Sequence, residues 1–170
     1  TFTKDGKCPE IGDVVRLPDH ADTLEMIGDT YADAFYKGEL ADKIDAFSKK
    51  YNGYIRKDDL EEFEAEWVEP ISVKYHGYDV YELPPNGHGI SALMALNILD
   101  RFQFEARETV RSYHTMIEAM KLAFVDVQKY VADPRFMKVT VEQLLSKAYA
   151  EDRAKLIGNT AIMPEAGDPY

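Results

Sequence analysis

The sequence predicts an α+β fold that is mostly helical, with about six helices and a single β-hairpin. Three observations carry this. Apolar residues recur at spacings of three and four through most of the chain, one stretch from Ile71 to Val80 switches to alternation, and Gly, Pro and Asn-Gly punctuation falls between the periodic runs.

Residues 1–18 read as a lead-in, polar and turn-rich around Gly6, Pro9, Gly12 and Pro18, with a short β-like run at Val14 and Val15. Residues 19–68 read as a helical subdomain. Leu24, Ile27, Tyr31 and Phe35 predict one helix from Ala21, with Gly38 at the position of a left-handed stop. Leu40, Ile44, Phe47 and Tyr51 predict a second from Glu39 to Tyr51, broken by Asn52-Gly53, so that the two form a helical hairpin. Asp58 and Asp59 offer side-chain acceptors to the free N–H groups of a short third helix.

Residues 69–157 read as the hairpin and its packing helices. Ile71, Val73 and Tyr75, then Tyr78 and Val80, alternate with polar residues on either side of a tight turn at His76-Gly77. Ile90 to Phe102 is apolar on nearly every face, as a buried helix requires. Tyr113, Ile117, Met120, Phe124, Val127 and Val131 form the stripe of a longer helix that Asp133-Pro134 stops. Thr140 and Gln143 make a capping box opening a last helix with Leu144, Leu145, Ala148, Tyr149 and Leu156. Residues 158–170, with Pro164, Gly167 and Pro169, read as a flexible tail. That tail and a first residue that is not methionine point to a processed piece, and a lone hairpin beside a buried helix implies that further strands lie outside it.

Twenty basic and 31 acidic residues give a net charge of −11, with no basic run, which argues against nucleic acid and against an anionic membrane surface. No apolar run reaches the length of a membrane span. A hydrophobic fraction of 45% is enough for a core, and the single cysteine, Cys8, leaves no internal disulfide to replace one.

Four groups of residues are candidate sites. His114 and Glu118 share a helix face, but without a third ligand they read as a helix pair rather than a metal site. Pro84-Pro85-Asn86-Gly87-His88-Gly89 is the most distinctive segment. Two prolines fix an extended approach, two glycines open dihedrals closed to other residues, and backbone N–H groups there are placed to face an anion. It lacks the Walker Lys-Ser/Thr, which favours a tight strand-to-helix turn, and His88 has no sequence neighbour that would complete a dyad. Asn86, Gly87, His88 and Gly89 are therefore loop candidates for substrate binding. An N-terminal threonine can act as a nucleophile with its own amine as base, but Thr1 leads into a turn and reads as a cut site. Asp58, Asp59 and Asp126 are the remaining acids, with helix capping as a sufficient reading of the first two.

Taken in order, Arg16-Leu17-Pro18, Ala21-Asp22-Thr23-Leu24, Ala34 to Gly38, Gly53 before Asp58-Asp59-Leu60, Pro84 to Gly89, His114 with Glu118 to Phe124, and Asp133-Pro134-Arg135-Phe136 resemble the γ-glutamyltranspeptidase family across nearly the whole chain. The resemblance implies an N-terminal nucleophile hydrolase. Such a precursor cuts itself into a large and a small subunit packed as an αββα sandwich, and this chain resembles the C-terminal part of the large subunit. Tyr170 would then lie shortly upstream of the cut, and the catalytic threonine would open the small subunit, leaving no catalytic residue in this chain. The arginine that holds the substrate's α-carboxylate would lie earlier. The implied partner is the small catalytic subunit, the substrate a small-molecule amide of glutathione type, and no cofactor or metal is called for.

Asn86-Gly87 and His88 depart from the serines and first glycine common in the family loop, and Asn52 replaces a glycine before Tyr54. Those changes are similar to the branch containing cephalosporin-acylase-like and transpeptidase-like proteins. A cephalosporin or glutaryl-type acylase is thus the alternative within the fold, and a helical interaction module that folds alone is the alternative outside it. The compartment is not set by these residues.

Overall fold

The computed structural model describes residue 3 and residues 6–170. Thr1 lies outside the described residues. The chain divides into two compact units, Thr1–Glu66 and Trp67–Tyr170.

In the first unit, α1 (Pro18–Asp29) opens with proline at its first turn, where the missing N–H costs no hydrogen bond. The single helix expected through Phe35 is instead two, because α2 (Asp33–Tyr36) starts afresh. The cause is Thr30. Its hydroxyl donates to the Met26 carbonyl at 2.8 Å and accepts from the Ala34 N–H at 3.1 Å, closing one helix and capping the next. Tyr31 and Ala32 take left-handed φ values of 50° and 72° between them.

Gly38 does not stop a helix in the left-handed region, since its φ is −104°. It is needed for space: a Cβ there would meet the Ala34 Cα at 3.0 Å. The next helix, α3 (Glu39–Lys50), carries acids in its first turn and Lys49 and Lys50 in its last, the arrangement its dipole favours. Asn52, at φ 56°, turns the chain out of it. A short α4 (Lys57–Glu61) follows, and Asp59 accepts from the Arg56 N–H at 2.7 Å at its start. Val14 and Val15 are exposed and form no strand. The buried residues of this unit are small, Ala34, Ala41 and Ser48, while Phe47, Tyr51, Tyr54 and Ile55 stay exposed.

The second unit is built around one helix. Strands β1 (Ile71–Tyr75) and β2 (Tyr78–Glu82) pair antiparallel with Val73 opposite Val80, joined by His76 and Gly77 at φ 48° and 87°, the handedness a two-residue hairpin needs. Then α5 (Ile90–Leu99) runs between the hairpin, α6 (Val110–Tyr130) and α8 (Lys147–Ala154). Ile90, Leu93, Met94, Ala95, Ile98 and Leu99 are all buried. One end of α5 packs with Ala123, Val127, Val139 and Leu144, the other with Ala119, Leu122, Ala150 and Ala154. Ser91 and Asn97 are its buried polar residues, and Asn97 is satisfied on both sides: its amide donates to the Leu145 carbonyl at 2.9 Å and its oxygen accepts from Lys147 at 2.9 Å.

The last predicted helix is also two, α7 (Val141–Leu144) and α8. Thr140 and Gln143 form the expected capping box, but Ser146 accepts from the Tyr149 N–H at 3.2 Å and restarts the helix. The stripe read on α6 is buried only at its C-terminal end, where Val127 is inside and Val131 packs against the core. Tyr113, Ile117, Met120 and Phe124 are 41–57% exposed, and Glu118, Ala119, Leu122, Ala123 and Asp126 share the buried face with Val127. Residues 158–170, expected to be loose, form neither helix nor strand and are tied to α6 by hydrogen bonds.

Leu122 is fully buried on α6, so Leu122→Ala leaves a cavity and is expected to cost about 2–5 kcal/mol in urea unfolding of the chain. Phe47→Ala, at a 65% exposed position, is expected to change stability by about 0.5 kcal/mol or less. Equal effects from the two would mean that the core is not where α5 meets α6.

Candidate functional site

The loop from Pro84 to Gly89 turns the chain from β2 into α5. Pro85 is buried, Asn86, Gly87 and His88 are exposed, and Gly89 is half-buried. Neither glycine uses a left-handed φ; Gly89, at φ −54°, is instead a close-approach position where a Cβ would fall 2.4 Å from the Glu82 Oε2. Gly89 thus acts through space, whereas a Cβ at Gly87 would meet nothing within 4 Å. The His88 carbonyl accepts from both the Ser91 N–H at 2.9 Å and the Ser91 hydroxyl at 2.7 Å, which starts α5. Its imidazole meets the Phe124 ring edge-on at 5.9 Å. The segment is a tight strand-to-helix turn that presents Asn86, Gly87 and His88 to solvent.

His114 and Glu118 do not converge on a common point. His114 Nε2 lies 3.0 Å from the Gly158 carbonyl. Glu118, 1% exposed, accepts from Lys121 at 2.7 Å through one oxygen and from the Ile162 N–H at 3.2 Å through the other. Lys121 also donates to the Ile162 carbonyl. Burial raises the Glu118 pKa, but the Lys121 hydrogen bond, the Ile162 N–H and the charges of Lys121 and His114 together outweigh it and hold the carboxyl below its ordinary value. Among the described residues no three His, Cys, Asp or Glu side chains gather as metal ligands.

Further along α6 lies the most buried charge of the chain. Asp126 is 0% exposed, with Arg153 Nε 3.1 Å from one oxygen and the Gly167 N–H donating to the other at 2.8 Å. Arg153 also donates to the Glu165 carbonyl at 2.9 Å, and Tyr130 donates to the Gly167 carbonyl at 2.5 Å. Burial pushes the Asp126 carboxyl up despite the Gly167 N–H and the arginine, and pushes up the Tyr149 phenol beside it, aided by the Asp126 charge. Nothing local in the sequence marks this role of Asp126, because its partners lie far along the chain, Gly167 at a separation of 41.

Among the described residues four cavities, of about 520, 430, 370 and 540 Å³, are of ligand size. In the first unit, Phe35, Leu40, Ile44, Phe47, Tyr51 and Ile55 line a space of about 520 Å³ that is almost wholly apolar. In the second, Phe102, Val110, Arg111, His114 and Asn159 line one of about 430 Å³. Neither brings a nucleophile, a base and an oxyanion donor together, so these cavities do not make a complete active site.

The folds of solved proteins match this arrangement. Over 96% of its length the chain superposes on the cephalosporin acylase of Bacillus halodurans with a TM-score of 0.82 at 54% identity, covering 31% of that chain. It superposes on the γ-glutamyltranspeptidase of Helicobacter pylori with a TM-score of 0.73 at 30% identity, covering 96% of this chain and 48% of that one. A helix-rich layer with one hairpin is therefore part of an N-terminal-nucleophile-hydrolase sandwich.

The sequence matches the gamma-glutamyltranspeptidase family over residues 1–170, and the chain belongs to that family. It is 37% identical over 167 residues to the glutathione hydrolase-like YwrD proenzyme of Bacillus subtilis (strain 168), a match covering 97% of this chain and 32% of that protein. To the glutathione hydrolase proenzyme of Escherichia coli (strain K12) it is 36% identical over 168 residues, covering 97% and 29%. The chain thus spans about a third of the length of these curated relatives.

Because the folded-state pKa of Glu118 is depressed, its contribution to stability is present above its ordinary value of 4.5 and is lost as pH falls through the lower folded value. In hydrogen exchange followed from neutral to acid pH, protection at the Ile162 N–H is expected to fall below pH 4.5. Glu118→Gln is expected to remove that acid-dependent step, and a step of unchanged size in the variant would assign it to another group.

Proposed function

We propose that this chain is the C-terminal part of the large subunit of a γ-glutamyltranspeptidase-like amidohydrolase, and that residues 158–170 lead to the bond at which the precursor cuts itself. The carrying observation is the family match from residue 1 to residue 170 in a chain about a third as long as its curated relatives. Two exposed surfaces support the reading. The outward stripe of Tyr113, Ile117, Met120 and Phe124 on α6, and the aromatic rim of Phe47, Tyr51 and Tyr54, are what a subunit leaves open when its covering layer belongs to another part of the molecule. A module that folds alone would bury them.

In the complete enzyme the hydroxyl of the small subunit's N-terminal threonine attacks the amide carbonyl carbon of the substrate. The threonine's α-amine takes the hydroxyl proton and returns one to the leaving amine, so that an acyl ester forms as the C–N bond breaks. Water or an acceptor amine then attacks the ester, releasing the acyl group as acid or as new amide and restoring the hydroxyl. The oxyanion donors come from the small subunit. This chain supplies the helical layer, one hairpin of the sandwich and the loop Asn86-Gly87-His88-Gly89 near the cleft.

A second reading within the fold has its own observation, the 54% identity to a protein titled a cephalosporin acylase. The full-length protein separates the two. Hydrolysis of a γ-glutamyl anilide at a kcat/KM at least about tenfold above that of a glutaryl anilide is expected, equivalent to about 1.4 kcal/mol of transition-state preference. The reverse ratio would assign an acylase, and no turnover of either would overturn the enzymatic reading.

A further inference from the structure

We propose that Asp126, Arg153 and Tyr130 form a clamp that fixes the register of the segment ahead of the self-cleavage point, which makes them positioning residues for maturation. The inference rests on the processing reading given above. His114, Glu118 and Lys121 share one side of α6, Asp126 and Tyr130 follow roughly 120–160° round it, and each engages the backbone of the tail: the Gly158 carbonyl, the Ile162 N–H and carbonyl, and the Gly167 N–H and carbonyl. Arg153 adds the Glu165 carbonyl from α8.

The lengths agree with an extended chain. From His114 to Tyr130 a helix rises roughly 24 Å, and the nine steps from Gly158 to Gly167 span about 30 Å when fully extended. The tail therefore runs along α6 and winds part of the way round it in a nearly extended form. Contacts to backbone atoms fix where each residue sits without reading its side chain.

Gly167 is the point where the register is locked. A Cβ there would stand 2.5 Å from the Tyr149 hydroxyl and 3.0 Å from the Arg153 Cδ, so only glycine allows the tail this close. Its N–H is also what the buried Asp126 oxygen accepts from. A carboxylate with no solvent exposure is costly to hold beside one arginine alone, and removing the tail would leave that oxygen unpaired. Hydrophobic residues of equal size would pack this part of α6 at less cost, so the polar set is explained by what it holds. From Gly167 to Tyr170 the chain reaches at most about 10 Å, so Tyr170 itself stays near the clamp.

Cleavage itself adds one water across the peptide bond ahead of the threonine. The C–N bond breaks, the water oxygen ends in the new carboxylate of the large subunit, and the nitrogen becomes the threonine's free amine. The clamp takes no part in those bonds. It delivers the carbonyl to the hydroxyl, and a misplacement of about 1 Å in such an alignment costs up to about a hundredfold in rate.

The test follows conversion of the purified full-length precursor into two chains by denaturing gel and intact mass, beside its melting temperature. Gly167→Ala is expected to slow conversion at least about tenfold with a melting temperature within about 2 °C of the parent. Adding Tyr149→Phe, which removes the nearest clashing atom, is expected to restore part of the rate. Tyr130→Phe, which deletes one hydrogen bond and keeps the ring, is expected to slow conversion about fivefold and serves if Gly167→Ala fails to fold. Once mature, each variant is expected to keep the parent's kcat/KM on a γ-glutamyl anilide.

Variants that convert at the parent's rate overturn the clamp and leave the proposed function standing. Slowing that only tracks a lost melting temperature, with no rescue by Tyr149→Phe, overturns it too by making the residues merely structural. A parent precursor that folds but never converts overturns the processing reading, and the clamp's role with it.

Discussion

Everything in the second unit depends on the burial of α5. A helix with no polar face has no stable place at a surface, so its neighbours must surround it, and here the hairpin, α6 and α8 do so. Small residues set the spacing. Ala119 and Ala123 on α6 and Ala150 and Ala154 on α8 allow the helices to close in on Leu93, Ile98 and Leu122. Asn97 shows the same constraint from the polar side. Held inside this packing, it has to find partners, and it finds them at the one place where α7 gives way to α8, pairing with the free Leu145 carbonyl and with Lys147.

With one side of α6 committed to α5, its remaining circumference is divided between two tasks. Polar residues that wind round it, from His114, Glu118 and Lys121 to Asp126 and Tyr130, bind the tail, and a separate sector is the exposed apolar stripe of Tyr113, Ile117, Met120 and Phe124. Three uses of one helix explain why its apolar pattern extends beyond a single stripe. The charge placement follows the same division: Glu118 is buried yet kept ionised by Lys121, while Asp126 relies on a guanidinium and on a backbone N–H from 41 residues away.

What was legible in the sequence was what local chemistry decides. The continuous apolar run of α5, the His76-Gly77 turn, the Thr140–Gln143 box and the Asn52-Gly53 stop each involve neighbours within a few residues, and each stands where its pattern put it. The two missed breaks were local as well, but they turn on single hydroxyls. Thr30 and Ser146 can sit inside a helix or end one, and here each accepts a backbone N–H of the helix that follows it.

The tail and its site were not legible, for a reason that is physical rather than statistical. Periodicity reports which residues are apolar, and it put Tyr113, Ile117, Met120 and Phe124 on one face of α6 with Val127 and Val131, of which only the last two turn inward. Burial was instead given to a face containing Glu118, Asp126 and small alanines, because those carboxylates have partners at Ile162 and Gly167 that no local pattern reveals. An ionisable group is tolerated in an interior only when distant chain satisfies it, so its burial is a property of the folded contact and not of its own neighbourhood. The one sequence trace of the contact is Gly167 itself, which the proline-rich tail made look like ordinary loop punctuation. In the structure it is the residue whose missing side chain lets Tyr149, Arg153 and Asp126 close around the backbone.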